Sequence, residues 1–532
     1  MTPSTAPRRS RLVAASAAGM LALAGSVATS FPAGAAGPGC DSRNDNTVAK
    51  LLECVTLDGT MDHLKAFQAV ADANGGTRAS GTPGYDASAD YVQARLEAAG
   101  YAVTRQAFEF PYYELVGTPT LVQTAPTARS FAYGSDFSDM SFSGAADVTG
   151  TAVAVDPATT TSGCEATDFA GLVDGDIALV RRGGCTFGTK AANAEASGAS
   201  AVVIYNSGTP GNEGLINGTL GAPVGIPALF TTTAIGESLA DATLSLSIDT
   251  VSGIRETENV FAELPGRTSG NVVMAGAHLD SVAVGPGIND NGSGSAALLE
   301  VAESIAKVKP ANTVRFAWWG AEELGLIGST YYVNSLSDAQ IEDIALYLNF
   351  DMVASPNFAR FIYDGDQSSF QPNFVVPEGS AQIEYVFEDF YESRDLFYEG
   401  TEFSGRSDYQ AFALAGIPSG GLFTGAEGVM QPYQAEAYDG EAGVAYDPCY
   451  HQECDDIGNL DLDALDQNAD AIAYSILTLA YTTRAVNGVT GQQVPGGTYA
   501  GDPEDREHRL APGGGEGGGL EHDHDHDRGE TA

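Results

Sequence analysis

Basic residues are scarce in this chain. Its 532 residues include 25 Lys and Arg against 70 Asp and Glu, which gives a formal net charge of −45. A chain this acidic repels phosphate backbones and anionic lipid headgroups, and this argues strongly against nucleic-acid binding and against binding to an anionic membrane surface. Hydrophobic residues still make up 43% of the chain, enough for packed cores in two or three domains.

Long apolar runs are also rare. The apolar stretch 12–27 follows three arginines and precedes the small residues 33–36. This order predicts a cleaved export signal over residues 1–36 rather than a membrane anchor, for which the stretch is short. The paired arginines leave the twin-arginine export route open. Because no later run reaches about 18 apolar residues, we expect a secreted, extracellular protein with no membrane association after cleavage.

Cysteine is sparse, and no Cys-x-x-Cys spacing occurs. That absence and the oxidising compartment argue against thiolate zinc sites. Six cysteines remain after the predicted cleavage, an even number that indicates disulfides. They fall into three local pairs, which we prefer among the fifteen pairings that six cysteines allow: Cys40–Cys54, Cys164–Cys185 and Cys449–Cys454.

The predicted pattern of helices and strands changes along the chain. Residues 41–112 have the pattern of helix, helix and strand, and residues 115–252 alternate short Val-, Ala- and Thr-rich strands with Gly, Asp and Pro turns. Residues 256–485 alternate strands with helices, which predicts an α/β fold with a largely parallel sheet covered by helices. The middle region is therefore interpreted as an inserted module. From residue 486 onward the Gly-, Pro- and acid-rich composition predicts disorder.

Side chains that can bind metal follow three of the predicted strands. The strands lead into His278, into the pair Glu322 and Glu323, and into Asp351, and a glycine-bounded loop adds Asp290. Ligands of parallel α/β sheets collect beyond the carboxyl ends of the strands, so we expect these residues on one rim. For any one of these acids alone, the alternative is a helix cap or a solvated loop residue.

Histidine is rare, with seven in the chain and four of them in the predicted tail. His451 lies between Cys449 and Cys454, where a disulfide would fix the direction of the imidazole. Imidazoles and carboxylates form the ligand set that catalytic zinc accepts, and a shared carboxylate would hold two metals about 3.5–4 Å apart. Because Glu322 and Glu323 are adjacent, one can bind metal while the other faces the attacking water.

Five segments around these residues match a known family in order and context: 276–281, 287–294, 318–329, 348–352 and 449–451. They resemble the secreted bacterial co-catalytic zinc aminopeptidases of peptidase family M28, which are leucine-aminopeptidase-like. The resemblance implies a zinc exopeptidase fold, in which a mostly parallel mixed sheet carries helices on both faces. Residues 37–114 and 253–485 would form this peptidase domain.

The resemblance implies two zinc ions and a role for each residue of the rim. His278 and Asp351 would hold one zinc, Glu323 and His451 would hold the other, and Asp290 would bridge them. The peptide bond after Asp290 would be cis.

Further roles follow for the residues around these ligands. Asp280 would hydrogen-bond His278 and set its tautomer. Glu322 would act as general base and then as proton donor to the leaving amine. The Tyr450 phenol would stabilise the oxyanion of the tetrahedral intermediate.

On the substrate side, the resemblance places the segment from Arg406 to Asp408 at the edge of the site. Met352, Leu422 and Phe423 resemble the lining of an apolar pocket for the first side chain, and ordinary core is the alternative for all three. Tyr409 stands where relatives often carry His, which affects local contacts and leaves the proposed ligands intact.

Residues 115–252 resemble a protease-associated (PA) domain, on segments 168–171, 177–187 and 194–199. Such an insert, a β-rich α/β module, would cover the active site or bind substrate and partners, and it would carry no catalysis.

Two further metal hypotheses are weaker. Relatives can carry calcium near Asp466 and Asp470, which lie four apart on a predicted helix, although a solvated helix face is favoured. The His-Asp repeat at 522–527 would be able to scavenge metal, although a disordered or processed tail over residues 486–532 is favoured.

The sequence thus predicts a secreted, monomeric zinc aminopeptidase that removes apolar residues of the Leu, Met or Phe type from peptide or protein N-termini. A carboxypeptidase of the same fold would need a basic pocket for the terminal carboxylate of its substrate. Arg406 alone is little evidence for such a pocket. A glutaminyl cyclase needs one zinc, and the retention of five ligand positions disfavours it. A receptor-like ectodomain predicts broken ligands, and none is broken.

Overall fold

The computed structural model describes residues 39–40, 42–268 and 270–499. The predicted export signal, the His-Asp repeat and most of the predicted tail lie outside these residues. Within the described part of the chain, every helix is too short or too polar to cross a lipid bilayer.

The helices begin and end at recognisable residues. Helix α2, for example, follows Thr56, whose hydroxyl accepts a hydrogen bond from the backbone of Gly59, and α3 has Pro83 in its first turn and ends at Gly100, where φ is 101°. The helices are α1 Val48–Leu52, α2 Leu57–Ala73, α3 Pro83–Ala99, α4 Phe187–Ala196, α5 Thr233–Ser238, α6 Gly294–Ile305, α7 Ile327–Ser335, α8 Asp338–Asp343, α9 Ser380–Glu392, α10 Tyr409–Leu414, α11 Pro432–Tyr438, α12 Leu462–Tyr481 and α13 Arg484–Asn487.

The strands form two sheets. They are β1 Val103–Leu115, β2 Thr120–Ala125, β3 Arg129–Phe131, β4 Phe137–Ser141, β5 Ala146–Val155, β6 Ile177–Arg181, β7 Ala201–Tyr205, β8 Gly218–Thr219, β9 Ala228–Thr231, β10 Thr243–Ile248, β11 Thr250–Leu264, β12 Val272–His278, β13 Thr313–Trp319, β14 Ile344–Phe350, β15 Phe361–Tyr363, β16 Glu399–Thr401 and β17 Ser419–Phe423.

The first sheet has the order β1-β11-β13-β12-β14-β17-β15-β16. Its centre is parallel, from β13 through β12 and β14 to β17, while β1, β11 and β15 run antiparallel to a neighbour. Both faces are covered. Along β12, Val273, Ala275 and Ala277 pack into a core with α2, α3, α6 and α12, and Met274 packs on the other face with α7 and α10. The predicted α/β fold, a mostly parallel mixed sheet with helices on both faces, is confirmed.

The second sheet comes from the middle of the chain and has the order β3-β2-β10-β5-β6-β7-β9-β4-β8. Strand β6 shows how both of its faces are buried: Ile177 and Leu179 enter one core, and Ala178 and Val180 enter the other. The antiparallel pair β1 and β11 leads out of the first sheet and continues as far as the second, since Val116 donates its backbone N–H to Asp249.

Three disulfides join the cysteine pairs preferred from the sequence. The first ties the start of the described chain to the end of α1, the second lies in the inserted module, and the third joins cysteines five positions apart and closes the loop that carries Tyr450 and His451.

The boundary expected at residue 486 is too early. Val486 and Val494 are buried against the main core, and Tyr499 stacks on Tyr474 of α12 with ring centroids 5.1 Å apart. Three side chains of this segment thus pack on the rest of the protein, which the composition alone does not reveal.

Candidate metal centre

Three parallel strands deliver the predicted ligands to one edge of the first sheet. His278 is the last residue of β12 and pairs with Trp319, the last residue of β13, so the two strands end together. Glu322 and Glu323 follow β13 closely, and Asp351 directly follows β14. The parallel direction explains why residues far apart in sequence meet here.

Asp290 lies between the two imidazoles. Its Oδ1 is 3.2 Å from His278 Nε2, and its Oδ2 is 3.2 Å from His451 Nε2. His278 Nε2 is also 3.2 Å from Asp351 Oδ1, and His451 Nε2 is 3.0 Å from Glu323 Oε2. The five residues therefore form two adjacent groups that share one aspartate.

The carboxylates of this cluster change the pKa values of its imidazoles. Burial lowers the pKa of both imidazoles, but the surrounding carboxylates outweigh it: Asp351 and Glu322 raise the pKa of His278 well above its usual value, and Glu323 and Asp290 raise that of His451 to about 11. Burial also raises the pKa of Glu323 to about 7. The two imidazoles and Glu323 thus favour their protonated forms, and a metal ion would replace those protons.

The residues fit zinc by their chemistry. Two imidazole nitrogens and three carboxylates are ligands that zinc accepts, and Glu323 Oε1 is buried with no hydrogen-bond partner. A metal ion would satisfy that oxygen.

The loop that carries Asp290 is held by side chains that the sequence did not single out. Asp455 accepts hydrogen bonds from the backbone N–H groups of Asn289 and Asp290, at 2.8 and 3.0 Å. Arg78, fully buried, donates to the carbonyl of Pro286 at 2.8 Å and to those of Leu279 and Gly287. The peptide bond between Asp290 and Asn291 is cis.

The contacts of His278 and Asp351 orient these ligands. His278 Nδ1 lies 3.1 Å from the backbone carbonyl of Asp280 and 3.6 Å from its carboxylate, so the backbone rather than the side chain makes the shorter contact. The Ser407 hydroxyl donates to Asp351 Oδ2. Ser407 lies in the segment 406–408 that was expected at the edge of the site, but its hydrogen bond to Asp351 was not predicted.

Glu322 stands beside the ligands and is 2% exposed. Its Oε2 is 4.0 Å from His278 Nε2, and its backbone N–H donates to Asp280 Oδ1 at 3.2 Å. Burial raises the pKa of Glu322 well above its usual value, although His278 opposes the shift. A carboxylate in this setting readily accepts and holds a proton.

Tyr450 lies on the other side of the cluster. Its ring stacks on His451 with centroids 3.8 Å apart, and its hydroxyl is 3.5 Å from Arg406 Nη2. Burial raises the pKa of Tyr450 well above its usual value, so the phenol keeps its proton and is able to donate it in a hydrogen bond.

A cavity opens onto these groups. Met352, Phe423 and Arg406 line it, together with Tyr363 and others. Leu422 does not; its side chain belongs to the main core. Leu422 and Phe423 are consecutive in β17 and point to opposite faces of the sheet, so only one of them reaches the cavity. The prediction for Leu422 was wrong.

The calcium hypothesis gains no support here. Asp470 Oδ2 lies 3.5 Å from Arg394 Nη2 and pairs with that guanidinium. Within the described residues, neither Asp466 nor Asp470 joins a group of three metal-capable side chains.

Comparison with known proteins places this architecture among peptidases. The family model described as peptidase family M28 matches residues 259–476, and the PA domain model matches residues 148–239. The chain is 48% identical over 453 residues to an aminopeptidase of Pseudomonas aeruginosa, covering 83% of this chain and 84% of that one. It is 47% identical over 327 residues to leucine aminopeptidase 2 of Trichophyton rubrum, covering 60% and 65%.

Solved structures agree in fold. The aminopeptidase from Aneurinibacillus sp. strain AM-1 superposes with a TM-score of 0.56 at 26% identity, covering 78% of this chain and 92% of that one. A zinc aminopeptidase from Bacillus subtilis gives a TM-score of 0.50 at 25% identity, covering 78% and 93%.

Proposed function

Because the chain belongs to peptidase family M28 and is a metallo-aminopeptidase with an inserted PA domain, we propose that it is a secreted enzyme that uses two zinc ions to remove apolar residues from peptide N-termini. The observation that carries the proposal is the position of Asp290 between His278 and His451, with one carboxylate oxygen 3.2 Å from each imidazole.

Each zinc would have its own pair of ligands. His278 and Asp351 would hold one ion, Glu323 and His451 the other, and Asp290 both. Zinc bound by these residues would act as a Lewis acid on the scissile carbonyl and make a water molecule acidic enough to attack at neutral pH.

Glu322 would move the proton. Its carboxylate takes one proton from the attacking water as the oxygen–carbon bond forms, and delivers that proton to the leaving nitrogen as the carbon–nitrogen bond breaks. The raised pKa of Glu322 suits a group that must hold the proton between these events. Tyr450 donates a hydrogen bond to the oxyanion of the tetrahedral intermediate.

Met352 and Phe423 support a preference for substrates whose N-terminal residue has an apolar side chain, since both line the cavity beside the proposed ligands. Arg406 does not favour a carboxypeptidase, because its Nη1 already lies 3.4 Å from Glu427 Oε1 and the pairing covers part of the charge that a terminal carboxylate would need. The predicted export signal over residues 1–36 and the three disulfides support secretion.

The test is the hydrolysis of leucyl-p-nitroanilide by the full-length enzyme, with and without a chelator. We expect chelator-sensitive release of nitroaniline that zinc restores, and no release from N-acetyl-leucyl-p-nitroanilide, whose amino group is blocked. Hydrolysis at the same rate with and without the chelator would refute the proposal, as would cleavage of the blocked substrate at the rate of the unblocked one.

A further inference from the structure

Arg406 is held at the cavity by an acid from another loop. Its Nη1 lies 3.4 Å from Oε1 of Glu427, while its Nη2 lies 3.5 Å from the hydroxyl oxygen of Tyr450. The Arg406 side chain is 17% exposed and that of Glu427 is 32% exposed. One guanidinium therefore joins Glu427 to the proposed oxyanion donor.

The turn before Arg406 is fixed as well. The Gly405 backbone N–H donates to the Tyr409 hydroxyl at 2.7 Å. Tyr409 is 1% exposed, and its ring packs against Tyr363 and Phe403, with centroids 4.7 and 5.0 Å away. The backbone of the turn is thus set by Tyr409, while the end of the long Arg406 side chain is directed by Glu427.

The chemistry of the guanidinium fixes the direction of the hydrogen bond to Tyr450. An arginine side chain carries only donors, so Arg406 donates and the Tyr450 oxygen accepts. The hydroxyl proton of Tyr450 therefore does not point at Arg406, and both residues line the cavity. Without Glu427, the flexible Arg406 side chain would lose the contact that keeps it beside Tyr450.

We propose that Glu427 is a positioning residue for the reaction: it holds Arg406 so that the guanidinium turns the Tyr450 hydroxyl into the cavity as the oxyanion donor. The inference rests on the proposed function and on the role assigned to Tyr450 there. A rival role for Glu427 is direct binding of the substrate ammonium group, which would act on substrate affinity instead of on the transition state.

A double-mutant cycle separates these roles. Glu427→Gln is made in the wild-type enzyme and in the Tyr450→Phe variant, and kcat and KM for leucyl-p-nitroanilide are measured with zinc content and melting temperature. We expect Glu427→Gln to lower kcat about tenfold in the wild type, with KM changed less than about twofold, and to lower kcat less than about twofold in the Tyr450→Phe background. The exposed Glu436→Gln is the matched control and should leave both constants unchanged.

An equal fall of kcat in both backgrounds would overturn the inference, as would a rise in KM alone or a loss of zinc. Glu427→Asp gives a second reading, because a shorter carboxylate that still reaches Arg406 should restore part of kcat, whereas no recovery in a folded variant counts against the proposal. Failure of the proposed function is distinguishable: the wild type would then show no chelator-sensitive hydrolysis, or Tyr450→Phe would leave kcat intact.

Discussion

At the scale of single residues, two adjacent glutamates have different surroundings. Glu323 lies 3.0 Å from His451, whereas Glu322 lies 4.0 Å from His278 and turns its backbone N–H toward Asp280. The preceding Ala321 has φ of 55°, a left-handed turn that sets the two side chains on different paths. One sharp turn after β13 thus separates the proposed base from the proposed ligand.

Replacing Glu322 by Gln should remove the proton acceptor and keep the shape of the site. We expect kcat/KM for leucyl-p-nitroanilide to fall about 10³-fold, within the range for loss of a general base, with zinc content unchanged. Steady-state kinetics and elemental analysis measure both. Glu342→Gln, on the exposed side of α8, is the control, and a fall of less than about tenfold would show that another group moves the proton.

The residues proposed as ligands were found from the sequence, whereas Asp455 and Arg78, which hold the Asp290 loop, were not. His278, Asp351 and the two glutamates could be identified because each follows a strand that local patterns predict. Asp455 and Arg78 act through the backbone of the Asp290 loop, from segments far away in sequence. No local pattern reports a contact of that kind, because it depends on how distant segments pack.

At the scale of elements, α9 carries a buried acid away from the metal centre. Glu384 is 4% exposed, and its Oε2 accepts the backbone N–H of Asp366 at 2.9 Å. Burial, with the neighbouring charge of Asp366, raises the pKa of Glu384 to about 9. The folded protein therefore binds the Glu384 proton more tightly than the unfolded chain does.

This difference makes stability depend on pH. The contribution of Glu384 is fully present below its ordinary pKa of 4.5 and is lost as the pH rises toward about 9. The side chain of the Glu384→Gln variant stays neutral at every pH. The melting temperature of the variant minus that of the wild type should therefore increase by about 2 °C between pH ~5 and pH ~9. Thermal unfolding followed by circular dichroism measures it. A constant difference across that range would mean that Glu384 does not titrate with unfolding.

Local patterns predicted the regular elements well and their connections poorly. The strands leading to His278 and Asp351 and the helix after Asp290 are found where periodicity places them. The boundaries expected at residues 115 and 252 fall at the ends of two paired strands. Strand β1 ends at Leu115, strand β11 begins at Thr250, and the two strands pair up to that point. The pairing of two strands so far apart in sequence follows from tertiary contacts, which alternation of residue types does not encode.

At the scale of the whole molecule, the dominant property is charge. The chain carries a formal net charge of −45, and the proposed substrates approach with a positively charged amino group. A negative protein of this size attracts cationic peptides over a distance that shrinks as salt is added.

Salt should therefore act on substrates according to their charge. We expect kcat/KM for leucyl-lysyl-lysine to fall severalfold between about 20 and about 500 mM NaCl, that for leucyl-alanyl-alanine to change less than about twofold, and that for leucyl-glutamyl-glutamate to rise. Initial rates at low substrate concentration measure each ratio. The same salt response for all three peptides would exclude long-range attraction as a factor in substrate capture.

We propose above that Asp290 joins two zinc ions in the working enzyme. The most direct test of this proposal is elemental analysis of active, full-length enzyme that has not been exposed to chelators, beside Asp290→Asn prepared in the same way. We expect two zinc ions per chain in the wild type, with zinc and hydrolysis of leucyl-p-nitroanilide lost together in the variant. One ion or none in fully active wild-type enzyme would contradict it.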